Sequence, residues 1–277
     1  MKVAALWSGG KDSCLASYEA SLKGFEVSNL INFVLKDDGR VRRNRVSNFL
    51  SHIYRRVDSR SPAIASNLLS LVYKDLSRMV PHEVVPEVIA LQAKAMEIPI
   101  VQREVRWDTL EVNLKSTMRT LKRIGIEGLV YGIDPPHYSL QRSEKLREQH
   151  TFLAHKDWVH RVCGELGIKP ITPLLGRNPD QILADFVKKG FQAIIVVVDS
   201  KLLGEEWLGC KLDHDFLHQV SGLNTLRGMH VGGSAYHTLV IDGPLFKKRL
   251  SILKGRKVFK NGYFVLDLLK VELTKKE

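Results

Sequence analysis

A short apolar run, Val3 to Trp7, leads directly into Ser8-Gly9-Gly10-Lys11-Asp12-Ser13, and a helical pattern follows without a break. No other feature constrains the fold of this chain as tightly. Glycine allows a sharp backbone turn and lets a ligand approach where a Cβ would clash. A helix starting just behind such a turn presents unpaired N–H groups and the positive end of its dipole, which favours an anion. Lys11 adds a point charge, Ser8 and Ser13 add hydroxyls, and Asp12 can orient the loop or help to hold Mg²⁺. The chemistry is that of a phosphate site. Two familiar phosphate loops are excluded by spacing, because neither G-x-x-x-x-G-K-[ST] nor G-x-G-x-x-G is present here.

The downstream pattern fits a parallel sheet. Leu15, Tyr18 and Leu22 mark a helix closed by Gly24, and Val27 to Leu35 reads as a second strand. Strand, glycine turn, helix and strand together open an α/β fold. A helix from Pro86 to Met96, a strand from Pro99 to Val105, a helix from Leu110 to Ile124 and a strand from Gly128 to Ile133 continue it. Later come helices at Trp158 to Leu166 and Pro179 to Lys189, with a loop between them punctuated by Pro170, Pro173 and Gly176. Strands follow at Phe191 to Val198, Tyr236 to Ile241 and Tyr263 to Leu268, the last behind an Asn261-Gly262 turn. Two stretches break the pattern. Residues 37–80 are rich in Arg and Ser with helical spacing, which predicts a helical insertion, and 135–155 is polar and irregular. The expected fold class is α/β: a Rossmann-like parallel-sheet N-terminal domain over 1–134 and a smaller α/β C-terminal domain over 135–277.

Composition narrows the setting. The longest Ile/Val run, Ile194 to Val198, is far short of the roughly 20 apolar residues a spanning helix needs. No membrane partner is expected, and the N-terminal residues lack the shape of a signal peptide. Three scattered cysteines without a C-x-x-C pair point to free thiols in a reducing compartment, so a cytoplasmic location is expected. The net charge of +12 suits polyanionic partners such as nucleotides or RNA. The arginines between Arg40 and Arg60 read either as a solvated face or as an RNA contact, with no RNA-binding signature to decide.

The loop and several later stretches also carry a resemblance. S-G-G-x-D-S after an N-terminal strand resembles the PP-loop of the N-type ATP pyrophosphatases. Gln92-Ala93-Lys94-Ala95 with Ile98-Pro99 is similar to a stretch of the diphthine–ammonia ligase family. So are Trp158-Val159-His160-Arg161-Val162-Cys163 with Gly167-Ile168-Lys169-Pro170, and Pro173-Leu174-Leu175-Gly176. Gly190-Phe191-Gln192-Ala193, Leu203-Gly204 with Trp207-Leu208-Gly209, and His237-Thr238-Leu239-Val240 ending in Asp242-Gly243-Pro244-Leu245-Phe246 continue the series in order. The resemblance covers most of the chain outside 37–80 and 135–155.

What the resemblance implies is an ATP-dependent amide ligase that forms AMP and pyrophosphate. ATP and Mg²⁺ would be used, diphthine on elongation factor 2 would be the acceptor, and ammonium the nitrogen source. The implied ATP-binding residues are Ser8, Gly9, Gly10, Lys11, Asp12, Ser13, His82, Gly132 and Asp134, with Asp12 also toward Mg²⁺. The implied substrate-binding residues are Gly232, Gly233, Ser234, Tyr236, His237 and Thr238, and the implied catalytic residues are Lys11 and His237. Asp134 reads either as a metal or ribose contact or as a loop cap before Pro135. His237 reads either as an acid/base group or as a satisfied strand histidine. The chain departs from the family where relatives usually carry Gly-Glu-x-Gly-Glu: it has Val231-Gly232-Gly233-Ser234-Ala235, with Gly232 and Ala235 in place of the two glutamates. The alternatives are therefore a paralogue that adenylates another carboxylate or a tRNA, and a non-catalytic ATP-binding protein.

Overall fold

The computed structural model describes residues 1–35, 86–106, 109–132, 157–219 and 235–276. The stretches 37–80 and 135–155 lie outside the described residues. Strand β1 (Lys2–Leu6) lies at the centre of a five-stranded parallel sheet. Beside it are β2 (Glu26–Leu35) and then β3 (Ile100–Val105). On its other side are β4 (Gly128–Val130) and β5 (Lys169–Ile171). The chain runs from β1 outward through β2 and β3, then returns to the far side of β1 for β4 and β5. The crevice between the carboxyl ends of β1 and β4 is therefore the point where strand order reverses, which is where open α/β sheets bind their ligands. Strand β5 comes from a stretch read as loop, and its pairing with β4 extends the parallel sheet past the expected division at 134. Three residues of Lys-Pro-Ile are too short to give a strand signal of their own.

Helices cover both faces of this sheet. On one side lie α1 (Lys11–Leu22) and α2 (Pro86–Met96). On the other, α3 (Leu110–Lys122) and α4 (157–166) bury Leu114, Met118, Leu121, Val159, Val162 and Cys163 against Ala4, Ile31 and Leu129. Helix α5 (Pro179–Lys188) begins where Asn178 accepts the Asp180 and Gln181 N–H groups at 2.8 and 3.3 Å, with Pro179 at the first helical position. Gly24, Gly125 and Gly190 end helices with positive φ, as their positions in the sequence suggest.

A second, antiparallel sheet has the order β7-β6-β9-β8, with β6 (Gln192–Asp199), β7 (Tyr236–Asp242), β8 (Lys248–Lys260) and β9 (Tyr263–Lys275). Asn261 and Gly262, at φ 51° and 86°, form the hairpin turn between β8 and β9. Strand β8, Lys-Arg-Leu-Ser-Ile-Leu-Lys-Gly-Arg-Lys-Val-Phe-Lys, is an edge strand that the sequence analysis did not anticipate. Lysines on such an edge discourage pairing with other chains, which is why the strand signal is masked.

The second sheet shares its core with the first. One continuous cluster joins Val3, Ala5 and Trp7 of the first sheet, Leu15 and Ala20 of α1, Ile89 and Ala93 of α2, and Ile195, Leu239 and Leu250 of the second. Helices α1 and α2 are thus a layer sandwiched between two sheets. This position explains α1. Leu22, expected in its buried stripe, is 59% exposed. The contacts are made all round by the small residues Cys14, Ala16, Ser17 and Ala20, which let both sheets approach. Burial pushes the Cys14 thiol well above its ordinary range, so it is no nucleophile at neutral pH.

Candidate active site

The loop occupies the expected crevice. Ser8, Gly9 and Gly10 follow the carboxyl end of β1, and α1 starts at Lys11. Gly9 has φ 82°, a conformation that suits glycine. The loop is internally tied: Ser13 Oγ donates to the Gly10 carbonyl at 3.1 Å and lies 3.2 Å from Ser8 Oγ. Gly10 N–H donates to Ser8 Oγ at 3.4 Å. Lys11 Nζ is buried and donates to both Asp12 carboxylate oxygens, at 2.8 and 2.7 Å.

Gly132 reaches the loop from β4. A Cβ there would lie 2.7 Å from the Asp12 carbonyl and 3.0 Å from Ser13 N. Only glycine lets the end of β4 approach the first turn of α1 this closely. The structure thus brings together Ser8, Gly9, Gly10, Lys11, Asp12, Ser13 and Gly132. His82, Asp134, Gly232, Gly233 and Ser234 lie outside the described residues.

Strand β7 is the other wall. Thr238 Oγ1 accepts the Lys11 N–H at 3.0 Å, and Val240 N–H donates to the Gly9 carbonyl at 2.9 Å. Alternation along β7 places Tyr236 and Thr238 on one face and His237 on the other. Tyr236 stands edge-on to Phe216, which stands edge-on to Trp207. His237 is half-buried and pairs across from Val197. It is not brought to the loop side of the strand. Ala235 is buried, and its carbonyl accepts the Asp199 N–H at 3.0 Å.

Two supporting residues carried no role in the sequence reading. Gln92 on α2 is fully buried. Its Oε1 accepts Trp7 Nε1–H at 2.9 Å, while Nε2 donates to the Gly9 and Val240 carbonyls at 2.9 and 2.7 Å. One amide therefore joins β1, the loop, α2 and β7. On β2, Asn32 Nδ2 donates to the Trp7 carbonyl at 2.9 Å and fixes the chain just before the loop. The signal for Gln92 was a polar residue inside the buried stripe of an apolar helix, a position that requires hydrogen-bond partners.

Comparison with known proteins matches this architecture to one family. A model of the diphthamide synthase N-terminal domain matches residues 1–53, and one of the diphthamide synthase C-terminal domain matches residues 178–272. The two together cover just over half of the chain. This chain belongs to the diphthamide synthase family. Relatives within it are named diphthine–ammonia ligase. The one from Schizosaccharomyces pombe is 26% identical over 100% of this chain, which spans 40% of the length of that protein. Those from Bos taurus and Homo sapiens are each 25% identical over 91% of this chain and 83% of their own. Among solved structures, a "predicted subunit of tRNA methyltransferase" from Methanocaldococcus jannaschii aligns over 88% of this chain and 97% of its own, at 14% identity and a TM-score of 0.35. A likeness that weak carries no argument. The phosphate loop and strand β7 fall in the two matched domains of the family, and Gln92 lies between them in sequence.

Among the described residues, no three His, Cys, Asp or Glu side chains converge as a metal site. No helix among them is long and apolar enough to cross a membrane.

Proposed function

We propose that this chain is an ATP-dependent amide ligase that forms AMP and pyrophosphate, with diphthine on elongation factor 2 as acceptor and ammonia as nitrogen donor. The observation that carries the reading is the Ser8–Ser13 loop at the β1/β4 switch point, with Gly132 held against it. The amides of a glycine loop at a helix start favour the charge that builds on the phosphates as the α-phosphorus is attacked. In the first step the acceptor carboxylate oxygen bonds to the α-phosphorus, and the bond to the bridging oxygen breaks to release pyrophosphate. In the second, the nitrogen of ammonia bonds to the acyl carbon, the carbon–oxygen bond to AMP breaks, and the nitrogen gives up a proton.

Lys11 is paired with Asp12, so its charge reaches the phosphates only as that carboxylate turns to a metal ion, and the start of α1 supplies the rest of the positive field. Mg²⁺ binds through one or two carboxylates plus substrate phosphates rather than through an all-protein cage, so a single carboxylate beside the loop, Asp12, fits it. The ion would neutralise phosphate charge there. A cytoplasmic location follows from an acceptor on a translation factor.

A second reading rests on one observation. Ala235 and Gly232 stand where the resemblance implies carboxylates, and in this reading the loop chemistry is kept while a different carboxylate or a tRNA is adenylated. The test is pyrophosphate and AMP release from MgATP, with and without diphthine-bearing elongation factor 2 and ammonium. Release that needs both, with an amidated product, supports the ligase. MgATP binding with no factor-dependent turnover transfers the case to the second reading.

A further inference from the structure

Helix α1 begins at Lys11, and Gly10 before it has no side chain with which to cap it. The cap comes from 227 residues away, where Thr238 Oγ1 accepts the Lys11 N–H at 3.0 Å. Two residues on, the Val240 N–H takes the Gly9 carbonyl at 2.9 Å. Between these points the Thr238 carbonyl lies so near Gly10 that a Cβ there would sit 3.1 Å from it. Gln92 closes the circuit by donating to both Gly9 and Val240. The loop that faces the phosphates is thus shaped by a strand of the other sheet, along its main chain and through one hydroxyl.

We propose that Thr238 is a positioning residue for the nucleotide: its hydroxyl caps α1 from the second sheet and holds the phosphate loop in its binding shape. This inference rests on the nucleotide reading of the loop. It gives Thr238 a different task from the substrate contact expected of it. The side chain is buried, and its oxygen is committed to the Lys11 N–H. Without that acceptor the first N–H of α1 loses a buried hydrogen bond, and the helix start shifts in response. Every loop amide directed at the ligand shifts with it. The strand that follows the acceptor motif and the loop that grips ATP become one mechanical unit.

The experiment measures MgATP affinity by calorimetric titration for the full chain and for Thr238→Ser, Thr238→Cys and Thr238→Val, with a thermal midpoint for each. Serine keeps the hydroxyl, cysteine keeps a weak acceptor, and valine keeps the shape alone. The expected order of affinity is threonine equal to serine, then cysteine, then valine. Valine should bind about ten-fold more weakly, the size expected for a lost helix cap. A purely structural role would lower the midpoint and leave the affinity of the folded protein unchanged. Valine binding as tightly as the unsubstituted chain overturns the proposal, and so does serine losing as much as valine. If Thr238→Val does not fold, the cysteine variant decides: a several-fold loss supports the proposal and parental affinity overturns it. An unsubstituted chain that binds no MgATP overturns the nucleotide reading itself, a result distinct from variants that bind like their parent.

Discussion

Two joints of the molecule, one where α2 meets the loop and β7 and one between α3 and α4, are held by opposite means. Around Gln92 the joint is neutral: Gln92, Thr238, Trp7 and main-chain groups share hydrogen bonds in a buried core, and the ion pairs of α1, from Glu19 to Arg177 and Lys189, lie at that helix's other end. On the far side of the parallel sheet, α3 and α4 are clamped by charge. Glu111 accepts from Arg161 at 2.9 and 2.6 Å, from Lys115 at 2.5 Å and from Trp158 Nε1 at 2.8 Å. Glu165 joins Lys115 at 2.5 Å and Arg161 at 2.8 Å. The joint around Gln92 itself adds no fixed charge beside the loop, where Lys11 and Asp12 already pair with each other, so the positive end of the α1 dipole is left for an anion. The comparison predicts that chemistry should be lost by changes at one joint and pH sensitivity by changes at the other.

The largest effect should come from the loop. Lys11→Ala combined with Asp12→Ala removes the loop's positive charge and its carboxylate. MgATP-dependent pyrophosphate release should fall by about 10²–10³-fold, while the thermal midpoint moves little. Gly132→Ala should approach that loss by a different route, because its Cβ would press on the Asp12 carbonyl and displace the start of α1. Activity retained in both would mean that the crevice between β1 and β4 is not where ATP reacts.

Next is the neutral joint. Gln92→Leu fills a similar volume but abandons Trp7 Nε1–H and the Val240 carbonyl inside the core. Each buried group left without a partner costs about 1–3 kcal/mol, so a loss of about 3 kcal/mol is expected in urea unfolding. The loss should be the same at pH 7 and pH 5, because no titrating group takes part. A strong pH dependence would show that the joint is less isolated from charge than its geometry indicates.

Much of this design is legible in the residues themselves. Ser8 to Ser13 announces a sharp glycine turn between a strand and a helix start, and both are local properties. Gly24, Gly125 and Gly190 likewise mark helix ends locally. What escaped is what depends on distant partners. Thr238 reads as a substrate contact from the resemblance, and its bond to the Lys11 N–H shows only when β7 is laid against α1. Gln92 looks like one polar residue on an amphipathic helix until three backbones meet around it. Strand β5 exists only because β4 offers it an edge, and β8 hides behind its lysines. Leu22 misled because a helix between two sheets follows the space available on every side instead of a single apolar stripe.

The charged clamp should give a smaller, pH-dependent effect. Burial alone would raise the Glu111 carboxyl, but hydrogen bonds from Arg161, Lys115 and Trp158 outweigh it and hold the group at about 2, against an ordinary value of 4.5. The folded value is depressed, so the carboxylate stabilises the fold fully above 4.5. That contribution is lost as pH falls from 4.5 toward about 2. Glu111→Gln should cost about 1–2 kcal/mol at pH 7, since the cluster is partly open to solvent and its pairs are screened. The variant should also flatten the acid side of the stability profile. An unchanged acid limb would place the folding-linked protons elsewhere, and Gln92→Leu should leave that limb alone.

The smallest effect expected is the one that most sharpens the contrast between β7's two faces. His237 and Thr238 are adjacent in sequence, yet alternation sends them to opposite sides of the strand. Thr238 reaches Lys11, while His237 sits half-buried across from Val197. An imidazole there has the right chemistry for acid/base work but the wrong side of the strand for phosphates held at the loop. His237→Asn should therefore change pyrophosphate release by less than about three-fold, against the 10²–10³-fold expected for removing loop charge. The pH dependence of turnover between 5.5 and 8, about where an ordinary histidine titrates, should keep its shape. A larger loss that steepens below pH 6.5 would make His237 the proton acceptor for the amine step, and would require the acceptor to approach from the face of β7 that the loop does not occupy.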